Sequence, residues 1–193
     1  MTKTFTPLAS AIALAAALAA SSAHADATSF DGFYGGLAIS SVGLDPNFSA
    51  SSISNAVGYE LFAGYNHALN SNWVVGGELS FGASGGHNVS GGATVVDLEN
   101  MMTISARAGY VFDNTMIYGR LGYQTGDLAI STSAVTPDLD GAVFGLGVEH
   151  MFTETMSGRI ELSHSVLDLS GTGVPAGAEL DRTALSIGVA FHF

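Results

Sequence analysis

The stretch "LSIGVAFHF", Leu185 to Phe193, places an apolar side chain at every second position. Leu185, Ile187, Val189, Phe191 and Phe193 alternate with Ser186, Gly188, Ala190 and His192. Successive side chains of a strand point to opposite faces, so this spacing predicts a β-strand with one apolar face. The last residue, Phe193, still belongs to the pattern, whereas soluble domains commonly fray into a polar tail. Such a strand calls for a partner along its edge and an apolar surround on one face.

Upstream, the alternation recurs from Phe30 in eight segments: Gly32–Val42, Val57–His67, Trp73–Ala83, Glu99–Phe112, Met116–Gly126, Gly141–Phe152, Gly158–Asp168 and Arg182–Phe193. Each is close to the roughly 9–11 residues that a tilted strand needs to cross a bilayer. Short connections rich in Asn, Asp, Ser and Thr ("ALNSN", "DNT", "TETMS") alternate with longer ones, Gly43–Ala56, Ser84–Leu98, Asp127–Asp140 and Leu169–Asp181. Alternating short turns and long loops are the pattern of an outer-membrane barrel, with periplasmic turns and extracellular loops. The expected fold is all-β, an eight-stranded antiparallel up-and-down transmembrane β-barrel.

The start of the chain reads differently. Lys3, the apolar run Leu8–Ala20 and the small-x-small site Ala23–Ala25 predict a secretory signal peptide over residues 1–25. The run is short for a membrane-spanning helix, which needs roughly 20 residues. The barrel domain is then 26–193. It has no lysine and no cysteine, and four Arg stand against 17 acidic residues, a net charge of −13. That balance argues against a nucleic-acid partner, whose phosphates call for Lys and Arg. With no cysteine, an exported fold must hold together without disulfides. A mean hydropathy of +0.36 with 11% charged residues is apolar for a soluble secreted protein.

One strand face is apolar throughout, for example Val57, Tyr59, Leu61, Ala63 and Tyr65, or Met102, Ile104, Ala106, Ala108, Tyr110 and Phe112. Tyr65, Trp73, Tyr110, Phe112 and Phe152, with Phe193, fall beside the short turns, where an aromatic girdle would sit. The other face is expected to hold glycine and polar groups. By parity it carries Glu60, Glu78, Arg107, Arg120, Glu149, Arg159, Glu161 and, near the rim, Arg182, which takes in every Arg of the barrel domain. Four Arg and four Glu facing lipid or an apolar core would be costly, but within one narrow lumen they can pair. A soluble sandwich or lipocalin-like barrel, with its apolar face inward, is the competing fold and leaves these charges unexplained.

With the strands placed, five fragments in order carry a resemblance: "FDGFYGGLAI", "AGYNHALNSNWVVGGELSF", "ISARAGYVFDNTMIYGRLGY", "GLGVEHMFTETMSGRIELSHS" and "LSIGVAFHF". Together they resemble the small eight-stranded outer-membrane proteins of alphaproteobacteria, the porin-family or opacity-like barrels related to the OmpA-type transmembrane domain. The resemblance covers the whole mature chain and implies an outer-membrane location. It implies outer-membrane lipid and lipopolysaccharide as surroundings, and periplasmic chaperones in transit. It also implies that Phe191 and Phe193 form the assembly signal read by the barrel-assembly machinery. The family mixes structural, porin-like and adhesive members, so it implies no activity. Leu162 and His164 replace its usual Tyr pair in the seventh strand.

Three stretches carry residues of a catalytic or ligand-binding type. "ELSHSV" resembles the His-x-Ser strand of lipid A deacylases, but Ser163 and Ser165 adjoin His164 and so point to the opposite face, and Val166 stands where the serine is needed. The rim carboxylates Asp45, Asp97, Glu99, Asp127, Asp138, Asp140, Asp168, Glu179 and Asp181 could draw Ca²⁺, but lack the spacing of a calcium loop. "GTGVPAG" and "SGGHNVSGGA" read as mobile loops, with no helix to cradle a phosphate and with His87 alone. The expectation is therefore a non-enzymatic structural barrel with a largely plugged lumen, no cofactor and no metal, and with no wall-binding domain after it. A porin-like small-solute channel is the alternative, and a lipid A-modifying enzyme stands behind it.

Overall fold

Alternation becomes strand in all eight segments. The structure is a computed structural model, and it describes residues 26–47, 53–89, 94–133 and 136–193; the expected signal peptide lies outside them. A one-turn 3-10 helix, Ala27–Phe30, precedes eight strands: β1 (Gly32–Pro46), β2 (Ala56–Ala68), β3 (Trp73–Asn88), β4 (Val95–Phe112), β5 (Thr115–Ile130), β6 (Asp138–Met151), β7 (Met156–Ser170) and β8 (Glu179–His192). Each pairs antiparallel with the next, and β8 returns to β1 to close the barrel. The closing register runs from Tyr34 opposite His192 to Pro46 opposite Leu180, and the Phe193 amide donates to the Phe33 carbonyl at 2.9 Å. The terminal alternation thus has a strand on each side, and no edge is left unpaired.

The short turns are held by the side chains their composition suggests. Asn70 Oδ1 accepts from the amides of Asn72 and Trp73 at 3.0 Å each. Thr153 Oγ1 accepts from the Met156 amide at 3.0 Å. Asp113 takes a left-handed φ of 50° in the two-residue turn after Phe112, a conformation that Asp tolerates.

At the opposite end the strands run further than expected. β1 continues to Pro46 rather than Val42 and β3 to Asn88 rather than Ala83. β4 begins at Val95 rather than Glu99, β5 reaches Ile130 rather than Gly126, and β8 begins at Glu179 rather than Arg182. The ends of Gly43–Ala56, Ser84–Leu98, Asp127–Asp140 and Leu169–Asp181 are therefore strand, not loop. Ser84–Asn88 of "SGGHNVSGGA" is also strand, whereas 90–93 lie outside the described residues. His87 is buried there, bonded to Ser84 Oγ at 3.0 Å and to the Ser54 carbonyl at 3.1 Å.

The cause is an inversion of faces. In the turn-end half Ile104, Leu121, Leu146 and Ile187 point outward and Arg107, Arg120 and Glu161 inward. In the loop-end half Val42, Leu44, Leu98, Leu128, Leu139, Leu167 and Leu180 are buried inside, while Asp45, Asp97, Asp138, Asp140 and Asp168 alternate with them in β1, β4, β6 and β7. This corrects the expectation of a lumen face that is polar and glycine-rich along its whole height. Strands of 13–18 residues outreach a bilayer. Beyond it water lies outside, so only the interior can bury apolar side chains.

Three layers therefore fill the barrel. At the turn end, Phe30 from the 3-10 helix packs with Val74, Val111, Met116, Tyr118 and Met151. At the loop end, Val42, Leu98, Leu139, Leu167 and Leu180 belong to an apolar cap, against which Ile53, Val89, Ile130 and Leu169 pack. Charged groups occupy the layer between.

Candidate functional site

The middle layer is built by inward parity on six strands. Glu60 (β2), Glu78 (β3), Arg107 (β4), Arg120 (β5), Glu149 (β6), Arg159 and Glu161 (β7) all turn into the lumen. The side chains of Glu78, Arg107 and Glu149 are each 1% exposed. Arg107 Nη2 donates to Glu149 Oε2 at 2.7 Å, Arg159 Nη1 to Glu78 Oε2 at 2.6 Å, and Arg120 Nη2 to Glu161 Oε1 at 2.5 Å. Glu78 is the hub, with Arg107 and Arg120 nitrogens also at 3.7 Å. Glu60 lies to one side, accepting from Ser80 Oγ at 3.0 Å and 3.5 Å from Arg159 Nη2. Arg182 turns inward as well but stands apart from these pairs, toward the cap.

Sequence reasoning missed the neutral members of this network. Tyr34 donates to Glu78 Oε2 at 2.9 Å and accepts from Arg107 Nη1 at 3.1 Å. Tyr118 donates to Glu161 Oε2 at 2.9 Å. The Arg107 guanidinium lies 4.2 Å from the Tyr118 ring centroid, and that of Arg159 lies 3.3 Å from the Phe62 ring. Ser157 Oγ donates to Glu149 Oε1 at 2.7 Å, and His192 Nε2 lies 3.1 Å from the same oxygen. Parity holds the signal: Tyr34, Phe62, Tyr118 and His192 share the inward phase of their strands but read as apolar or incidental when charge alone is followed. The glycines across from the two tyrosines leave room for their rings, since a Cβ at Gly64 would overlap Tyr34 and one at Gly147 would overlap Tyr118.

The outer wall is apolar, with Leu37, Ile39, Leu61, Phe81, Ile104, Leu121, Leu146 and Ile187 all exposed. At the turn end stand the exposed rings of Tyr65, Trp73, Tyr110, Phe112, Phe152, Phe191 and Phe193. Trp73 meets Tyr110 edge-on at 5.4 Å between centroids, and Phe33 meets Tyr65 at 4.9 Å. His164 is on this outer wall, bonded to Thr183 Oγ1 at 3.1 Å, while Ser163 and Ser165 are buried in the lumen. The neighbouring hydroxyls of "ELSHSV" are therefore walled off from its imidazole by the sheet. No group of three or more His, Cys, Asp or Glu suited to a metal ion occurs among the described residues.

Comparison with known proteins places this geometry. The family model described as "Outer membrane protein beta-barrel domain" matches residues 12–193. A 22 kDa outer membrane protein of Rhizobium leguminosarum bv. viciae is 29% identical over 177 residues, covering 86% of this chain and 80% of that protein. Among solved structures, Neisserial surface protein A superposes with a TM-score of 0.61 at 16% identity, covering 84% of this chain and 98% of that one. The attachment invasion locus protein Ail of Yersinia pestis, in complex with the heparin analogue sucrose octasulfate, gives a TM-score of 0.57 at 16% identity, covering 84% and 99%. At such identities the two structures share the barrel fold with this chain.

Proposed function

Since the chain belongs to the outer-membrane β-barrel family, and so is a protein of the outer membrane, we propose that it serves there as a sealed structural barrel rather than a conduit. The observation that carries this reading is the filling of the lumen by three successive layers. The Phe30 plug, the Arg–Glu network and the apolar cap succeed one another along the axis. Eight strands leave an interior just wide enough for such side chains. A hydrated solute would have to displace buried ion pairs and then cross a dry aliphatic layer, each costing several kcal/mol.

Residues 1–25 act as a signal peptide and leave 26–193 as the barrel. Phe191 and Phe193 present the assembly signal to the barrel-assembly machinery after chaperoned transit. The apolar wall and aromatic girdle hold the barrel in lipid, and the rim carboxylates face lipopolysaccharide and water. That acidic rim does not suit a polysulfated ligand of the kind bound to Ail, because like charges repel.

Planar-bilayer conductance of the refolded barrel tests the proposal, after heat-modifiable gel migration has shown that it is folded. A silent bilayer containing folded protein is the expected result. Discrete steps that change when Arg107 or Glu78 is neutralised would refute the seal and establish the porin-like channel.

A further inference from the structure

The four lumen guanidiniums are not equally served. Arg107, Arg120 and Arg159 each hold a carboxylate at 2.7 Å or less. Among the described residues no carboxylate lies within 4.0 Å of Arg182, and its buried Nε makes no hydrogen bond. It lines a cavity of about 30 Å³ between the ion network and the apolar cap. Arg120 lines the same space, and its Nε and Nη1 likewise make no hydrogen bond. Ser40, Ser163 and Gln124 add polar groups to the wall. Arg182 is half-buried, but its Nε is out of reach of water and lacks an acceptor, a cost of about 1–3 kcal/mol that an anion in the cavity would offset.

We propose that this cavity is a binding site for one small monovalent anion of chloride size, held by Arg182 and Arg120. The volume matches about two waters, which suits a bare halide. Two carboxylates border the space. Glu161 is already claimed by Arg120 Nη2 and the Tyr118 hydroxyl. Glu60 is held more loosely, with its nearest guanidinium nitrogen at 3.5 Å, so it is the group that competes with an anion for Arg182. Entry needs no axial pore. Gly82, Ala83 and Ser84 wall the cavity where the β3–β4 register shifts, between Gly82 and His87, and a ladder interrupted in this way opens more readily than a regular one.

Two variants of the full barrel push the site in opposite directions. Crystals grown in bromide should show one anomalous scatterer beside the Arg182 guanidinium, kept in Glu60→Gln and lost in Arg182→Gln. In solution, heat unfolding in bromide is compared with gluconate at equal ionic strength. Bromide should raise the midpoint of the wild type. Glu60→Gln should lower the half-saturating bromide concentration about tenfold, because a like charge a few ångströms away is removed. Arg182→Gln should abolish the bromide effect. If that variant does not fold, Glu60→Gln decides alone. Water alone in the cavity of bromide-grown crystals, or midpoints that do not distinguish the two salts in wild type and Glu60→Gln, would overturn the site.

Discussion

Replacing Glu78 by glutamine keeps the side chain's shape and removes the one carboxylate that faces three guanidiniums. Arg107 and Arg120 would keep their own partners, Glu149 at 2.7 Å and Glu161 at 2.5 Å. Arg159 would be left with Glu60 at 3.5 Å, while its own side chain is 3% exposed. Removing one member of a buried pair costs about 3–5 kcal/mol, because the other charge stays desolvated. Tyr34 would also lose a charged acceptor at 2.9 Å. Glu78→Gln is therefore expected to cost about 3–5 kcal/mol. Arg159→Met should be milder, about 1–3 kcal/mol, since Glu78 retains two guanidinium nitrogens at 3.7 Å. The double variant should cost about 2 kcal/mol less than the sum of the two. Urea unfolding of the refolded barrel reads these values through the fluorescence of Trp73, the single tryptophan, with gel mobility as a second probe. A Glu78→Gln cost below about 1 kcal/mol, or costs that add within about 0.5 kcal/mol in the double variant, would refute a paired core.

Other perturbations probe the remaining layers. Phe30→Ala should destabilise by about 3–5 kcal/mol in the same assay, since its ring is fully enclosed in the turn-end plug. Leu98→Ala, in the cap, should cost about 2–5 kcal/mol, whereas Leu61→Ala on the outer wall should cost far less, because it leaves no cavity inside. Equal costs for the two leucines would contradict the face inversion. Burial holds the His87 imidazole below its ordinary pKa, against smaller opposing effects from the Ser54 carbonyl and Asp97. The unfolded chain then takes up its proton first, so stability at the loop end should fall as pH drops below about 6.5 and stay flat above it. Hydrogen exchange of β3 amides near Ser84–Asn88, followed across that range, checks the sign; protection that increases toward acid pH would be the wrong outcome.

The strands were legible because a transmembrane barrel imposes a period of two with the apolar phase outward, and β8, β2 and β4 keep it over the span of a bilayer. The charged lumen was legible for a related reason: a charged residue in phase with glycine and serine has nowhere to point but inward. The same logic misread the loop ends. Val42, Leu44 and Leu167 keep a period of two but in the opposite phase, and nothing local says whether lipid or water lies outside. Leu98 shares the phase of the outward Met102 and Ile104 and turns inward only because the β4–β5 register shifts between Glu99 and Met102. The inward tyrosines and Phe62 escaped because an aromatic ring suits a lipid wall as well as a narrow lumen.

Sequence alone determined that the chain makes eight alternating strands, which residues share a face over the turn-end half of each, and that four Arg and four Glu must be sheltered together, since all three follow from local periodicity and charge. Only the tertiary structure decided who pairs with whom, that Arg182 is left over beside a cavity, and where the faces invert. Those depend on the register and closure of the barrel, which bring residues as far apart as Glu78 and Arg159 to 2.6 Å, and on where the surround changes from lipid to water.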